Sequence, residues 1–148
     1  MSRGEARLLH AAQVLVAGTG LAWAWMLYFA EPQDEFSILN HPWQDEMQAG
    51  HVLTAPLLIF AVAAIWKRHA WQRIRSGYRA RRRTGLLLAV SFFPMVASAY
   101  LLQTASAESW RQAWLIVHLA SSGIWVLAFL AHLITPRAQS SGSALPRP

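Results

Sequence analysis

The stretch HLASSGIWVLAFLAH, residues 118–132, decides the fold expected for this chain of 148 residues. It lies within an apolar run, 112–134, that is longer than the roughly 20 residues a helix needs to cross a membrane. A histidine stands at each end, and His118 and His132 are 14 residues apart. At about 3.6 residues per turn they project from nearly the same face, about 21 Å apart along the axis. The stretch therefore predicts a membrane-spanning helix with imidazoles at two depths.

Three other apolar runs are also long enough to cross a membrane. The four predicted spans are about 8–29, 47–66, 84–102 and 112–134. Apolar residues make up 55% of the chain and charged residues 14%, against roughly 25% charged residues in an average soluble domain. The sequence predicts an all-α integral membrane protein, a four-helix bundle of up-down-up-down topology over residues 1–136. We expect the polar tail, 137–148, to be disordered.

Basic and acidic residues occur in different segments between the predicted spans. From Lys67 to Arg83 there are one Lys and seven Arg and no acidic residue, whereas segment 31–46 has five acidic residues and no Lys or Arg. Because basic segments stay in the cytoplasm, we expect the loop 67–83 and both termini to be cytoplasmic. The acidic loop then faces the periplasm of a bacterial inner membrane. No nucleic-acid-binding motif accompanies the net charge of +6, so we expect no nucleic-acid partner.

The chain has no cysteine. This excludes disulfides, iron–sulfur clusters, thiolate zinc sites and covalently attached haem. The first apolar run is too long for the core of a signal peptide, so we expect it to remain as a span.

Four of the six histidines lie inside or at the rim of the predicted spans. Ionisable residues in a membrane are costly, usually face the interior and usually have a function. His51, near the outer start of its span, matches His118 in depth, and His10, near the cytoplasmic start of the first span, matches His132. Two pairs at two depths fit two b-type haems, because imidazole suits haem iron and a bundle can hold the cofactor between facing helices. With both axial positions of the iron closed, electron transfer is favoured over oxygen chemistry.

His69 is the alternative to His10 as a ligand on the cytoplasmic side. It follows His51 by 18 residues, so in a continuous α-helix both would project from one face, about 27 Å apart along the axis. His41, in the acidic loop, is not expected to be a ligand. Hydroxyl side chains in the spans are expected to orient imidazoles or to satisfy backbone carbonyls; the candidates are Thr54, Ser91, Ser98, Ser121 and Ser122.

The order and spacing of the histidines resemble the four-helix di-haem cytochrome b family. This family includes the bacterial cytochrome b-561 type and the haem-bearing membrane subunits of formate dehydrogenase and nickel–iron hydrogenase. It has one ligand in the first helix, one in the second and two in the fourth, and His10, His51, His118 and His132 match position by position. Further matches are Gly123, Thr84, Gly85 and Pro94, whereas Ala11 follows His10 where the family commonly has Trp.

The resemblance implies two haem b groups and electron exchange between the quinone pool and a periplasmic partner, such as a c-type cytochrome. The chain would act as a subunit of a larger redox complex or as a small quinone oxidoreductase. Candidate quinone contacts are Tyr100, Gln103 and His41 on the outer side, or His69 and His10 on the inner side. The alternative is a haem-free accessory or assembly protein whose histidines are structural or bind a transition metal.

Overall fold

The computed structural model describes residues 1–76 and 81–135, and these residues are helical with no β-strand. The predicted all-α class is therefore confirmed for the described part of the chain. The tail 137–148, which we expected to be disordered, lies outside the described residues, as do residues 77–80 of the basic segment. The elements are α1 (Arg3–Tyr28), α2 (Gln44–Ile65), a π-helix (Trp66–Trp71), α3 (Gln72–Arg75), α4 (Arg82–Thr104) and α5 (Glu108–Ile134).

Within the described residues, four helices are long and apolar enough to cross a membrane. They are Arg3–Tyr28, Gln44–Arg75, Arg82–Thr104 and Glu108–Ile134. The shortest has 23 residues, and its length of about 35 Å exceeds a hydrocarbon core of about 30 Å. All four expose large apolar side chains, such as those of Val14, Leu53, Val90 and Ile116. Because this surface suits lipid tails better than water, the chain is a multi-pass membrane protein.

The chain forms two compact units, Met1–Gln72 and Arg73–Pro148. In the first unit α1 packs against α2, and in the second α4 packs against α5. The helices of the second unit run antiparallel, since Thr84 near the start of α4 contacts His132 near the end of α5, while Ser98 near the end of α4 contacts His118. We call these units the first hairpin and the second hairpin.

Hydrogen bonds fix both ends of α1. At the start of α1, Ser2 and Glu5 form a capping box, in which the Ser2 hydroxyl accepts from the backbone N–H of Glu5 at 3.1 Å. This bond satisfies a donor that the first turn of a helix leaves without a partner. At the other end, the side-chain amide of Asn40 donates to the carbonyl of Leu27 at 2.9 Å. The connection between the helices is thereby attached to the last turn of α1.

Part of the basic segment, which the sequence predicted to be a loop, is helical. The second membrane helix does not end at Trp66 but continues through the π-helix and α3 to Arg75. Lys, Arg and Gln are good helix formers, so the loss of apolar character at Lys67 does not end the helix. The predicted loop 67–83 was therefore wrong in its first half, because the apolar run marks the extent of the membrane and not that of the helix.

Hydroxyl groups on the membrane helices bond to the carbonyl oxygens of the preceding turn. Thr54 donates to Gly50, Ser91 to Leu87 and Ser121 to Val117, at distances of 2.6 to 2.7 Å. A polar group in a membrane must find its partner within the protein. The expectation that these hydroxyls satisfy backbone carbonyls is confirmed.

Candidate functional site

His51 lies in the first half of α2 and its imidazole packs against α1. The Nδ1 atom of His51 lies 3.0 Å from the carbonyl oxygen of Val16 and 3.5 Å from Oγ1 of Thr19. A carbonyl oxygen can only accept, so Nδ1 carries the proton and donates it to Val16. The Thr19 hydroxyl gives its own proton to the carbonyl of Leu15 at 2.7 Å, so it too presents lone pairs to the ring. In the neutral imidazole, Nε2 is then the nitrogen with the lone pair.

His118 repeats this arrangement in the second hairpin. Its Nδ1 atom lies 3.0 Å from the carbonyl oxygen of Met95 and 3.4 Å from Oγ of Ser98, both on α4. The Ser98 side chain is only 1% exposed, and its hydroxyl donates to the carbonyl of Pro94. In each hairpin the accepting carbonyl and hydroxyl stand three residues apart on the first helix. His118 therefore takes the same tautomer as His51, with the lone pair on Nε2.

His132 is held by a hydroxyl of α4. Its Nδ1 atom lies 2.9 Å from Oγ1 of Thr84, and this hydroxyl donates to the carbonyl of Arg81 at 3.1 Å. The Thr84 hydroxyl therefore fixes the orientation of the His132 ring against α4. His118 and His132 both face α4, and α5 is unbroken from Glu108 to Ile134. The common face and the separation of about 21 Å predicted from the spacing thus rest on a continuous helix.

Glycine stands on the neighbouring helix beside two of these rings. A Cβ atom at Gly20 would lie 2.7 Å from Cε1 of His51 and 2.9 Å from its Nδ1, closer than real Cβ contacts. A Cβ atom at Gly85 would lie 3.6 Å from Cε1 of His132, which is ordinary van der Waals contact. The position of the His51 ring therefore requires glycine at residue 20, whereas residue 85 has room for a methyl group.

Trp23 brings a buried donor to the His51 region. Its ring centroid lies 6.1 Å from that of His51, and the two planes are inclined by 42°. The indole Nε1–H is buried and has no acceptor among residues 1–76 and 81–135. A buried donor without a partner costs about 1–3 kcal/mol, so native structures rarely keep one unless a bound group supplies the acceptor. Trp23 thus offers a hydrogen bond to a ligand beside His51.

Comparisons with protein-family models, with curated proteins and with solved structures find no match to this chain. The chemistry of the site is therefore inferred from its own donors. In the described parts of the chain, no three His, Asp or Glu side chains are grouped so that they could hold a metal ion. Haem differs from such a cluster, because its iron can be held by one imidazole from each side. An isolated imidazole that presents Nε2 suits this kind of group. The donor set and the unsatisfied indole of Trp23 fit such a group.

His10 lies in α1, on a different side from the residues that hold His51. At about 100° per residue, its side chain projects about 120° away from Val16 and about 180° away from Thr19. Gln13, one turn later, is buried at 4% exposure, and His10 itself is partly buried. His10 is thus not brought to His51.

His69 lies in the π-helix Trp66–Trp71. The sequence prediction that it shares a face with His51 assumed five full α-helical turns between them. A π-helix has wider turns, with hydrogen bonds between residues five apart, so each of its residues advances by less than the α-helical angle. His69 is therefore rotated away from the face on which that count placed it.

His41 has the opposite tautomer to the membrane histidines. The backbone N–H of Trp43 donates to Nδ1 of His41 at 3.2 Å, so in the neutral ring Nε2 carries the proton. His41 also makes an edge contact with Trp25, with ring centroids 6.1 Å apart. This ring therefore presents an N–H donor at Nε2.

The candidate quinone contacts Tyr100 and Gln103 lie near the end of α4. Tyr100 is 56% exposed, and the Gln103 amide donates to the carbonyl of Ala99 at 3.2 Å. His41 lies in the connection of the first hairpin and His69 in its π-helix.

Proposed function

We propose that the chain is a membrane di-haem b-type cytochrome that passes electrons across the bilayer between the quinone pool and a periplasmic redox partner, as a subunit of a larger redox complex. The observation that carries the proposal is the repeated arrangement of His51 and His118. Each hairpin holds one imidazole in the first half of its second membrane helix, with Nδ1 bound to a carbonyl of its first. Each hairpin thus orients one imidazole so that its Nε2 can bind iron.

The proposed ligand pairs take one imidazole from each hairpin. His51 and His118 hold the outer haem, and His10 and His132 hold the inner haem, with His69 as the alternative to His10. Such pairing makes the two hairpins a four-helix bundle of up-down-up-down topology. The two levels lie about 21 Å apart, the separation of His118 and His132 along α5.

The protein's part in this function is to orient the imidazoles and to keep water away. Donation from Nδ1 to a carbonyl oxygen or hydroxyl fixes the ring and its tautomer and raises the basicity of Nε2. When bound, haem supplies a one-electron couple at its iron, and bis-histidine ligation favours electron transfer. Apolar packing lowers the local dielectric, as where Phe92 and Trp125 pack with ring centroids 5.3 Å apart in the second hairpin.

The charge distribution supports the orientation and the partner. We place both termini and the basic segment in the cytoplasm of a bacterium, and the connection between α1 and α2 in the periplasm. That connection, 29–43, carries Glu31, Asp34 and Glu35 and no Lys or Arg. An acidic surface favours docking of a basic partner, such as a c-type cytochrome.

A dithionite-reduced minus oxidised spectrum of the purified protein, with haem quantified as pyridine haemochromogen, tests the proposal. We expect two low-spin b-type haems per chain. His51→Ala and His118→Ala should each remove one haem and leave the other, while the control His41→Ala keeps both. A protein that stays colourless when haem supply is ample would overturn the proposal in favour of the haem-free accessory role.

A further inference from the structure

The second membrane helix changes its geometry where it passes from apolar to basic sequence. The α-helix ends at Ile65 and the π-helix Trp66–Trp71 follows. In a continuous α-helix, the side chains of Trp66 and Trp71 would project about 140° apart. The turns of a π-helix are wider, so residues five apart project closer to the same side than they do in an α-helix. The two indoles are therefore brought toward the same side of the helix.

Trp66 and Trp71 line a recess together with Lys67. The recess has a volume of about 390 Å³. Trp71 is 48% exposed, so the recess opens to the surroundings of the protein. Its walls combine two flat aromatic surfaces with one ammonium group. Such a recess suits a molecule that has an apolar part and a single anionic group.

We expect the recess to lie at the depth of the lipid headgroups. The helix Gln44–Arg75 has 32 residues, and its length of about 48 Å exceeds a hydrocarbon core of about 30 Å. The π-helix begins about 33 Å from the start of this helix. Tryptophan and lysine are the residues that anchor helices at this level, because they combine an apolar body with a polar end.

The charge around the recess is predominantly basic, although Glu5 of α1 interacts with Arg68. Arg68, Arg73 and Arg75 follow Lys67 on the same helix, and no acidic residue occurs from Lys67 to Arg83. Among residues 1–76 and 81–135, Lys67 forms no ion pair. Basic clusters next to a membrane helix attract anionic lipids. The surroundings thus favour an anionic headgroup over a zwitterionic one.

We propose that Trp66, Lys67 and Trp71 form a binding site for one anionic phospholipid. Lys67 pairs with the phosphate, and the indoles lie against the glycerol and the upper part of the acyl chains. The π-helix contributes to the site, since its wider turns bring the two tryptophans toward the same side of the helix as the recess they share with the lysine. The site does not depend on the proposed haems.

Native mass spectrometry of the full-length protein in detergent tests this site, with phosphatidylglycerol and phosphatidylcholine titrated in turn. We expect one phosphatidylglycerol per chain, bound about tenfold more tightly than phosphatidylcholine. Lys67→Gln and Trp71→Ala should each weaken phosphatidylglycerol binding about tenfold, since a charge-assisted bond or a stacked ring is lost. The matched controls Arg75→Gln and Trp43→Ala should change it by no more than about twofold.

Equal losses in Lys67→Gln and Arg75→Gln would overturn the proposal, because they would show attraction by diffuse surface charge. Displacement of the lipid by inorganic phosphate alone would overturn it too, since the recess would then be a site for free anions. Trp71→Phe keeps an aromatic ring and should retain most of the affinity. The haem content of all these variants should equal that of the natural chain, which separates the outcome from that of the proposed function.

Discussion

The imidazole of His51 occupies the space that a side chain at residue 20 would need. A Cβ atom on Gly20 would lie 2.7 Å from Cε1 of His51, while Nδ1 of the same ring lies 3.0 Å from the carbonyl oxygen of Val16. The ring is thus placed between the backbone of one turn of α1 and a carbonyl of the turn before it. Moving the ring away from residue 20 would break or lengthen its hydrogen bond.

Gly20→Ala should therefore displace the ring of His51 and cost the protein its outer haem. Overpacking of this kind costs about 1–3 kcal/mol of stability. We expect about half of the haem content in the purified variant, measured as pyridine haemochromogen. Gly18→Ala is the matched control, because within the described residues a Cβ atom at residue 18 meets nothing within 4 Å. If both variants bound two haems, the assigned role of Gly20 would be wrong.

Thr84→Val should weaken the inner haem more than Thr19→Val weakens the outer one. The Thr84 hydroxyl lies 2.9 Å from Nδ1 of His132, whereas the Thr19 hydroxyl lies 3.5 Å from Nδ1 of His51, which also has the carbonyl of Val16 at 3.0 Å. Loss of a hydrogen bond to a metal-bound histidine costs about 10–100-fold in affinity. We expect a loss in that range for Thr84→Val and at most about threefold for Thr19→Val.

Retention of haem during dilution in detergent measures this difference, and redox titration should show a shifted midpoint for the haem concerned. Thr84→Ser keeps the hydroxyl and should restore both properties. Equal effects of the two valine variants would contradict the order that the distances predict.

Trp23→Phe should have opposite effects on the free and the haem-loaded protein. Without a ligand, the indole Nε1–H is a buried donor with no acceptor among the described residues, so its removal should leave thermal stability unchanged or raise it. With haem bound, loss of a donor to the ligand should speed haem release. Melting curves of both forms check this, and Trp110→Phe, an exposed tryptophan, is the control. An equal loss of stability in both forms would show that Trp23 only packs.

His10→Ala should remove the inner haem, and His69→Ala should leave both haems in place. The reason lies in the π-helix, which turns His69 away from the face that five α-helical turns would have given it. The inner haem can be followed in a His51→Ala background, where it is the only haem expected. Loss of this haem in the His69 variant, and not in the His10 variant, would exchange the two assignments.

The number of membrane helices was predictable because it depends on local properties. Apolar length alone predicted the spans 84–102 and 112–134. The structure contains them within the helices Arg82–Thr104 and Glu108–Ile134. The common face of His118 and His132 was equally predictable, since nothing interrupts α5 between them. The count of α-helical turns that placed His69 on the face of His51 did not allow for the π-helix, which has no clear signature in the sequence WKRHAW.

The sequence by itself determined that the chain has four helices able to cross a membrane, and how far apart His118 and His132 lie along α5, because apolar length and the rise per residue belong to a single helix. The tertiary structure alone decided which nitrogen of the His51 and His118 rings holds the proton. It also decided that Thr19, Gly20 and Trp23 surround His51, roles that the sequence analysis had not assigned. These contacts join positions such as Val16 and His51, 35 residues apart, or Met95 and His118, 23 residues apart. They arise only when two helices pack, since an imidazole in a membrane must take its hydrogen-bond partner from the neighbouring helix.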